Sequence, residues 1–585
     1  MSPTSCPTHP PTALVSIRTA FLIVLAIALR VPAAESGRPN VLLIVADDVA
    51  ALDHGCYGNR VVRTPNIDRL AEQGMRFANM FTPSTTCVPS RTSLYTGLYP
   101  IRHGAHPNWS SVKLGTKSLP HYLSRLGYRV ILLGKKHVLP AESFPFEHYA
   151  DPGQQGPGRD FERILSDDDP RPWCIMMAKF GAHVAWPHNI NGYAPAQVDI
   201  PDDHIDTPST RRFRSYYYSK ITEMDAAVGR VLDSLKEHDL EDNTLTIYTA
   251  DHGTDWPKQK WNLYDAGMRT PFIARWPGRI EPGSSVDALC SYVDVVPTII
   301  ETAGGHPEEV VRSAGGESLD GRSFLPVLLG KRTGHHDVVF GCFTWGVMTA
   351  YPMRAVRTAT HKYIWNIDSE YRFNWPPDTG WWGDGREPMA LSRWSREYWP
   401  MWRSWFDRAK SDPAAAALLN RLQYRPPIEL YDLRVDPDET HNLAEHPDQR
   451  KLMESLGRKL AAWMEQQGDD GSSAYHKEGR GKPRFLDQFY GRQHVVNVRA
   501  YAAGETQARV ELSCPLWRAT IHFTLDGSEP TPSSPRYTKP LVVTPTKTIM
   551  ARAFDERIVT PVKTVDLPEI NFRFHYQYHI KPWSW

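Results

Sequence analysis

The sequence predicts an α/β protein: a mostly parallel central sheet covered on both faces by helices, then a smaller α+β subdomain and an appended β-sandwich. Three observations carry this. Apolar runs of strand length alternate with stretches of helical periodicity through the first half of the chain. From about Asp337 the texture changes to shorter strands and one closing helix. Beyond residue 495 short alternating strands are separated by Asp526-Gly527 and Pro-rich turns. At 585 residues the chain is too long for one ordinary domain.

Taking the chain in order, residues 1–34 read as a secretory signal: Arg18 precedes the apolar run Ala20–Leu29, and small residues follow at Ala33 and Ala34. That run is too short to span a bilayer comfortably, and no later stretch approaches roughly 18 apolar residues. A secreted or periplasmic protein with no membrane span after signal removal is expected. The α/β body is placed at 38–336. It opens on "RPNVLLIVADDV", a buried strand ending in Asp47 and Asp48. "TPNIDRLAEQGMRF" follows, with Ile67, Leu70, Ala71 and Met75 at helical spacing. "SLPHYLSRLGYRVILLGKKH" reads as a helix stopped by Gly127 and a strand that ends in basic residues. A further unit comprises the strand "WCIMMAKFGAH", a helix around "SKITEMDAAVGRVLDSLKEH" and the strand "NTLTIYTADHG". Open α/β sheets bind ligands at the C-terminal ends of their strands, and these strands end in chemically capable residues.

The smaller subdomain is placed at 337–470, where "YDLRVDPDETHNLAEHPDQRKLMESLGRKLAAWMEQQG" supplies a turn and the closing helix. A polar linker at 471–495 leads to the β-sandwich at 496–568, and an aromatic tail at 569–585 is left unassigned. A net charge of +1 gives no sign of nucleic acid or of any polyanion held by bulk charge. Cys6, Cys56, Cys87, Cys174, Cys290, Cys342 and Cys514 show no CxxC and no regular spacing. They form neither a disulfide framework nor a cysteine zinc site, and one or two bridges stay open.

Chemistry gathers at the strand ends. Asp47 and Asp48 alone would be a solvated turn, but Asp251, followed by His252, ends a second apolar strand. Two strand ends presenting three carboxylates suggest a hard divalent cation, Ca²⁺ or Mg²⁺. Lys135 and His137 in "GKKH", His183 in "GAHVAW" and Lys260 in "KWNLYDAG" meet the same edge. A metal surrounded by cations suits a tetrahedral oxyanion, sulfate or phosphate, whose transition-state charge must be neutralised.

"CVPSRTSLYTG", from Cys87, resembles the sulfatase signature C-x-P-S-R followed by T-G. "PNVLLIVADD", "TPNIDRLAEQG", "GKKH", "TADHG", "KWNLYDAGMRTPFIARWPG" and "LYDLRVDPDETHNLA" look like further blocks of that family in family order, over about residues 38 to 465. The resemblance implies the alkaline-phosphatase-like sulfatase fold and conversion of Cys87 to Cα-formylglycine (3-oxoalanine) by a formylglycine-generating maturation enzyme. It further implies one Ca²⁺ held by Asp47, Asp48, Asp251, His252 and the modified Cys87; many relatives have Asn in place of His252. Arg91 would hold the aldehyde hydrate and the carboxylates. Lys135 and His137 would bind and orient the hydrate, and His183 and Lys260 would contact the sulfate and its leaving group. One hydroxyl of the hydrate would attack sulfur, and the sulfated hemiacetal would collapse when His137 takes the proton of the other.

The substrate reading rests on finer likenesses. Most sulfatases have Trp between the Lys and His of "GKKH". Lys136 in that slot, with "FPFE", "NLYDAG" and the "YPMRAVRT" block carrying Arg354, is similar to heparan N-sulfatases (sulfamidases). N-sulfoglucosamine of heparan or heparin is the expected substrate, with Lys136 and Arg354 as substrate-binding residues. Sulfamidases carry a His-Glu pair shortly before that block, where this chain reads "FTWGVMTA". A 6-O- or 2-O-sulfated sugar therefore stays as rival, and a phosphonate or phosphate monoester hydrolase of the same superfamily as a further one. "ATIHFTLDGSEPTPSSPRYTKPLVV" looks like the small sandwich appended to chitobiase and hexosaminidase-type enzymes. A homodimer is left open.

Overall fold

The computed structural model describes residues 37–566, leaving out 109, 150–157, 179, 185, 187, 346–349, 368, 370–372, 374–392, 470, 472–495, 503–506, 514–519, 545–547 and 555–561. The signal reading, nearly all of the linker and the aromatic tail lie outside the described residues. At the centre is an eight-stranded sheet in the order Ser284–Val286, Met75–Phe77, Phe272–Arg275, Thr244–Ala250, Asn40–Ala46, Trp173–Ala178, Arg129–Gly134, Glu147–Tyr149. Only Phe272–Arg275 runs antiparallel to its neighbours, so the mostly parallel sheet is as expected.

Alternation along Asn40–Ala46 shows why the sheet is buried twice over. Leu42, Ile44 and Ala46 join one apolar cluster while Val41, Leu43 and Val45 join another. On the first face lie Ile67 and Leu70 of the helix Pro65–Glu72 and Ile221, Met224 and Val228 of the helix Pro208–Glu237. On the second lie Leu94 of the helix Cys87–Thr96, Leu123 of Leu119–Ser124 and Ile299 of Val295–Thr302.

Three details differ from the sequence reading. The helix expected around residue 219 begins eleven residues earlier, at Pro208, where the Thr207 side chain accepts from Thr210 N and Pro fills the first turn. The strands after Asp337 are not shorter: the antiparallel sheet Val338–Trp345, Ala350–Thr358, His361–Asn366, Ile428–Asp432 has strands of five to nine residues. Two unforeseen helices, Arg393–Ala409 and Pro413–Gln423, enter between its last two strands. Trp405 Nε1 of the first donates to Thr210 Oγ1 at 2.7 Å, fastening it to the long helix.

The closing helix Arg450–Gln467 packs Leu456, Leu460 and Trp463 against Cys342, Val356 and Leu430 of that sheet. Beyond residue 496 two three-stranded antiparallel sheets share a small core of Val510, Leu512, Val543, Ile549 and Ala551. "LVVTPTKTIMARAFD" is split between them, as Leu541–Val543 and Thr548–Phe554. Cys56, Cys87, Cys174, Cys290 and Cys342 are free thiols, so no disulfide forms among the described residues. Among these residues no helix is long and apolar enough to cross a membrane.

Candidate active site

Strand register assembles the carboxylates. Asn40–Ala46 pairs in parallel with Thr244–Ala250 from Asn40↔Thr244 to Ala46↔Ala250, so Asp47 and Asp251 leave the sheet side by side. On the other flank Asp47 bridges to Gly181, where a Cβ would lie 2.4 Å from the Asp47 carbonyl oxygen; only glycine admits that approach. Asp48 then turns inward with φ 60°, a conformation costly for a residue with a side chain. Its N–H donates to Asp251 Oδ1 at 3.0 Å, which holds the turn.

The helix Cys87–Thr96 brings the signature in from a second direction. Cys87 is its first residue, so its side chain sits at the positive end of the helix. Pro89 is tolerated because it lies in the first turn, where its missing N–H has no helical partner. Arg91 follows one turn after Cys87 on the same face. Its guanidinium, fully buried, donates to Asp47 Oδ1 at 2.7 Å and to Asp251 Oδ2 at 3.0 Å. Ser90 Oγ donates to the Asp251 carbonyl at 2.5 Å and Asn108 Oδ1 accepts from Val88 N at 3.0 Å, fixing the helix start.

Two lysines complete the ring. Lys135 Nζ lies 2.6 and 2.8 Å from the Asp47 oxygens. Lys260 Nζ lies 2.6 Å from Asp48 Oδ2 and 3.5 Å from Asp255 Oδ2. Trp261, with φ 69°, donates its N–H to Thr85 O at 3.1 Å and so ties the Lys260 loop to the loop before Cys87. His183 Nε2 stands 3.8 Å from Asp48 Oδ2, and His252 Nε2 stands 3.6 Å from Asp48 Oδ1 and 3.8 Å from Asp251 Oδ2. His137, at φ 43°, turns back on the same loop as Lys135, and Cys87 Sγ lies 4.0 Å from Asp48 Oδ1.

The charges around these groups set their protonation. Burial opposes ionisation of Asp47, but Lys135 and Arg91 hold its carboxyl well below the usual range. Burial pushes Asp48 up to about 7 against the pull of Lys260 and His183. Burial also opposes a Cys87 thiolate, yet the charges of Lys135 and Lys260 bring that thiol well below its ordinary value. Burial disfavours a charged His252, but Asp251 and Cys87 raise it to about 9.

Asp48, Asp251, His252 and Cys87 offer ligand atoms within 4.8 Å of one another, and Asp47, Asp48 and His183 form an overlapping group. These residues fit a bound divalent cation on two counts. The buried His252 Nε2 has no hydrogen-bond partner, and Asp48, reluctant to ionise among its present neighbours, is a carboxyl that an added cation would restore to its charged form. Carboxylate oxygens from three positions suit Ca²⁺.

Of the residues singled out from sequence, Asp47, Asp48, Cys87, Arg91, Lys135, His137, His183, Asp251, His252 and Lys260 share this one site. Lys136 lies on the same loop, half-buried, and forms no ion pair among the described residues. Arg354 is corrected: it is fully buried, ion-paired with Asp469, and donates to the carbonyls of Phe343 at 3.1 Å and Met353 at 2.9 Å. Its guanidinium ties the antiparallel sheet to the end of the closing helix. Sequence reasoning missed Asp255, which accepts from Trp261 Nε1 at 3.1 Å as well as pairing with Lys260. Its place five residues ahead of Lys260 in "DWPKQK" was the available signal.

Carboxylates and cations converging on an activated residue, at the C-terminal edge of parallel strands, define a hydrolase of tetrahedral oxyanion esters. The chain matches the sulfatase family over residues 39–305, the N-sulphoglucosamine sulphohydrolase C-terminal family over 253–374 and the chitobiase/beta-hexosaminidase C-terminal domain over 501–564. It is 33% identical over 462 residues to an ulvan-active sulfatase of Formosa agariphila, covering 74% of this chain and 82% of that protein. It is 30% identical over 470 residues to the N-sulphoglucosamine sulphohydrolase of Homo sapiens, covering 73% of this chain and 89% of that one. The chain belongs to the sulfatase family and is a hydrolase of sulfate esters or sulfamates. Its fold matches BT4656, solved in complex with its substrate D-glucosamine-2-N,6-O-disulfate (TM-score 0.54, 18% identity, 75% of this chain and 100% of that one). It also matches the phosphonate monoester hydrolase of Agrobacterium radiobacter (TM-score 0.52, 20% identity, 74% and 96%). These likenesses show the alkaline-phosphatase-like sulfatase fold.

Proposed function

We propose that the chain is an exported sulfatase that removes sulfate from a sulfated saccharide, with N-sulfoglucosamine of heparan or heparin as its substrate. The observation that carries the chemistry is the meeting of Cys87 with Lys135 and Lys260 over the carboxylate cluster. The match of residues 253–374 to the N-sulphoglucosamine sulphohydrolase C-terminal family supports the amino-sugar substrate. The second reading, an O-sulfated sugar, is favoured by the ulvan-active relative and by "FTWGVMTA" where sulfamidases have His-Glu.

Residue 87 is proposed to act as formylglycine, made by a maturation enzyme, and Asp47, Asp48, Asp251 and His252 to hold Ca²⁺. When present, the aldehyde hydrate supplies an oxygen nucleophile with a spare hydroxyl, and the ion supplies positive charge. Arg91 helps keep Asp47 ionised and holds both Asp47 and Asp251 in place. Lys135 and Lys260 neutralise charge that grows on the sulfuryl oxygens. His183, with Lys260, donates a proton to the departing oxygen or nitrogen, and His137 accepts the hydroxyl proton at residue 87. Export rests on the signal at 1–34.

The test is sulfate release by the matured protein from glucosamine N-sulfate, 6-O-sulfated N-acetylglucosamine and 2-O-sulfated uronate saccharides, beside aryl phosphate and phosphonate esters. Turnover is expected first on glucosamine N-sulfate. Release from an O-sulfated sugar alone establishes the second reading, and preference for phosphonate overturns both.

A further inference from the structure

A second cluster of metal-ligating groups lies apart from the catalytic edge and shares no residue with it. Asp294, the residue before the helix Val295–Thr302, is fully buried. Its carboxylate is aimed by two backbone donors, Ser291 N at 2.8 Å and Arg322 N at 3.0 Å. Against it stand two successive histidines. His336 Nε2 is 2.9 and 3.0 Å from the two carboxylate oxygens, and His335 Nε2 is 3.5 Å from Oδ2. One ligand atom from each residue can be chosen so that all three lie within 4.8 Å of one another.

We propose that Asp294, His335 and His336 bind one transition-metal ion of the Zn²⁺ class. The His335 side chain is only 5% exposed, and its Nε2 has no hydrogen-bond partner. A buried imidazole nitrogen that faces a carboxylate without bonding it is short of a third party between them. Zinc binds imidazole nitrogen and carboxylate oxygen at about 2.0–2.2 Å, which sets ligand atoms roughly 3.4 Å apart around a tetrahedron. The His335 separation already has that value, and His336 needs to withdraw by a few tenths of an ångström. Two imidazoles and one carboxylate select a borderline-soft ion over Ca²⁺. His336, 24% exposed, leaves an approach from solvent and room for a water as fourth ligand. Binding needs an unprotonated Nε2 on each ring. The proton shared between His336 and Asp294 moves to Nδ1 or to solvent as the metal–nitrogen bond forms.

The ion would act as a clamp. His336 N donates to Leu289 O at 3.1 Å, and the chain enters the strand Val338–Trp345 two residues later. A metal here fastens the antiparallel sheet to the helix Val295–Thr302 of the catalytic body.

The test uses full-length protein stripped of metal, then dialysed against Zn²⁺ with Ca²⁺ in excess so that the catalytic carboxylates are occupied. Bound zinc is read by elemental analysis and the melting temperature is followed in parallel. Wild type is expected to retain one more equivalent of zinc than His335→Gln/His336→Gln, and zinc is expected to raise the melting temperature of wild type alone. His336→Gln, at the more exposed ligand, serves if the double variant misfolds, and should weaken zinc binding at least roughly tenfold. Equal zinc in wild type and variants, or none in wild type, overturns the site and leaves a hydrogen-bonded Asp-His-His cluster.

Discussion

Lys260 owes its position to two carboxylates, Asp48 at 2.6 Å and Asp255 at 3.5 Å, which oppose the burial penalty on its charge. Lys260→Ala removes a cation aimed at the sulfuryl oxygens and is expected to lower kcat by roughly 100- to 1,000-fold. Asp255→Asn leaves Asp48 in place and should cost about 10- to 100-fold, read as a fall in kcat with a smaller change in KM. A different residue governs acid stability. His54 is buried with Nδ1 3.1 Å from Ala51 O and Nε2 2.8 Å from the Tyr248 hydroxyl. Burial drives its pKa down from 6.5 to about 4, so the folded protein keeps it neutral while the unfolded chain takes up a proton. Its contribution is present above pH about 6.5 and is lost as pH falls toward 4, amounting to roughly 3 kcal/mol. Urea unfolding of His54→Gln should show a flatter acid limb than wild type over that window, and parallel limbs would contradict it. Asp47, Asp48, Lys135, His137, His183, Asp251 and His252 were legible because each closes an apolar run with a chemistry that run does not need, while Cys87, Arg91 and Lys260 were legible only through the blocks that resemble the sulfatase family. Asp255 ends no strand and touches the site through Lys260, so only its place five residues ahead of that lysine could have marked it.

Elements explain where the sequence reading failed. Arg354 sits in a recognisable block, but its partner Asp469 is 115 residues further on, and no local pattern announces such a pair. Arg354→Ala strands a buried carboxylate and is expected to destabilise by about 3–5 kcal/mol, while the folded fraction keeps its kcat and KM. A raised KM at unchanged stability would return Arg354 to the substrate. The early start of the helix Pro208–Glu237 was readable in principle, since "TPST" is a capping sequence with Pro in the first turn. The apolar stripe further along drew the boundary too late. The lengths of the antiparallel strands after Asp337 were hidden for another reason. Lys362, Arg354 and Arg357 are buried polar residues within them, paired to Asp265, Asp469 and Asp265 respectively, and they break the hydrophobic alternation that reveals a strand.

At the scale of the molecule, the fold class was legible because periodicities of two and 3.6 alternate over the body and give way to short strands at the end. Register did the rest: parallel pairing of Asn40–Ala46 with Thr244–Ala250 makes Asp47 and Asp251 neighbours across 204 positions of chain, which no sequence pattern states. Chelation of divalent cations should abolish turnover reversibly, with Ca²⁺ restoring it; activity that survives thorough chelation would remove the metal from the proposed reaction. The proposed chemistry depends above all on residue 87, and the most direct measurement is the mass of the peptide containing Ser84 to Arg91, taken from protein matured in its native host. An aldehyde in place of the Cys87 thiol is predicted, together with turnover that stalls in Cys87→Ser. An unmodified thiol in protein that releases sulfate would contradict it.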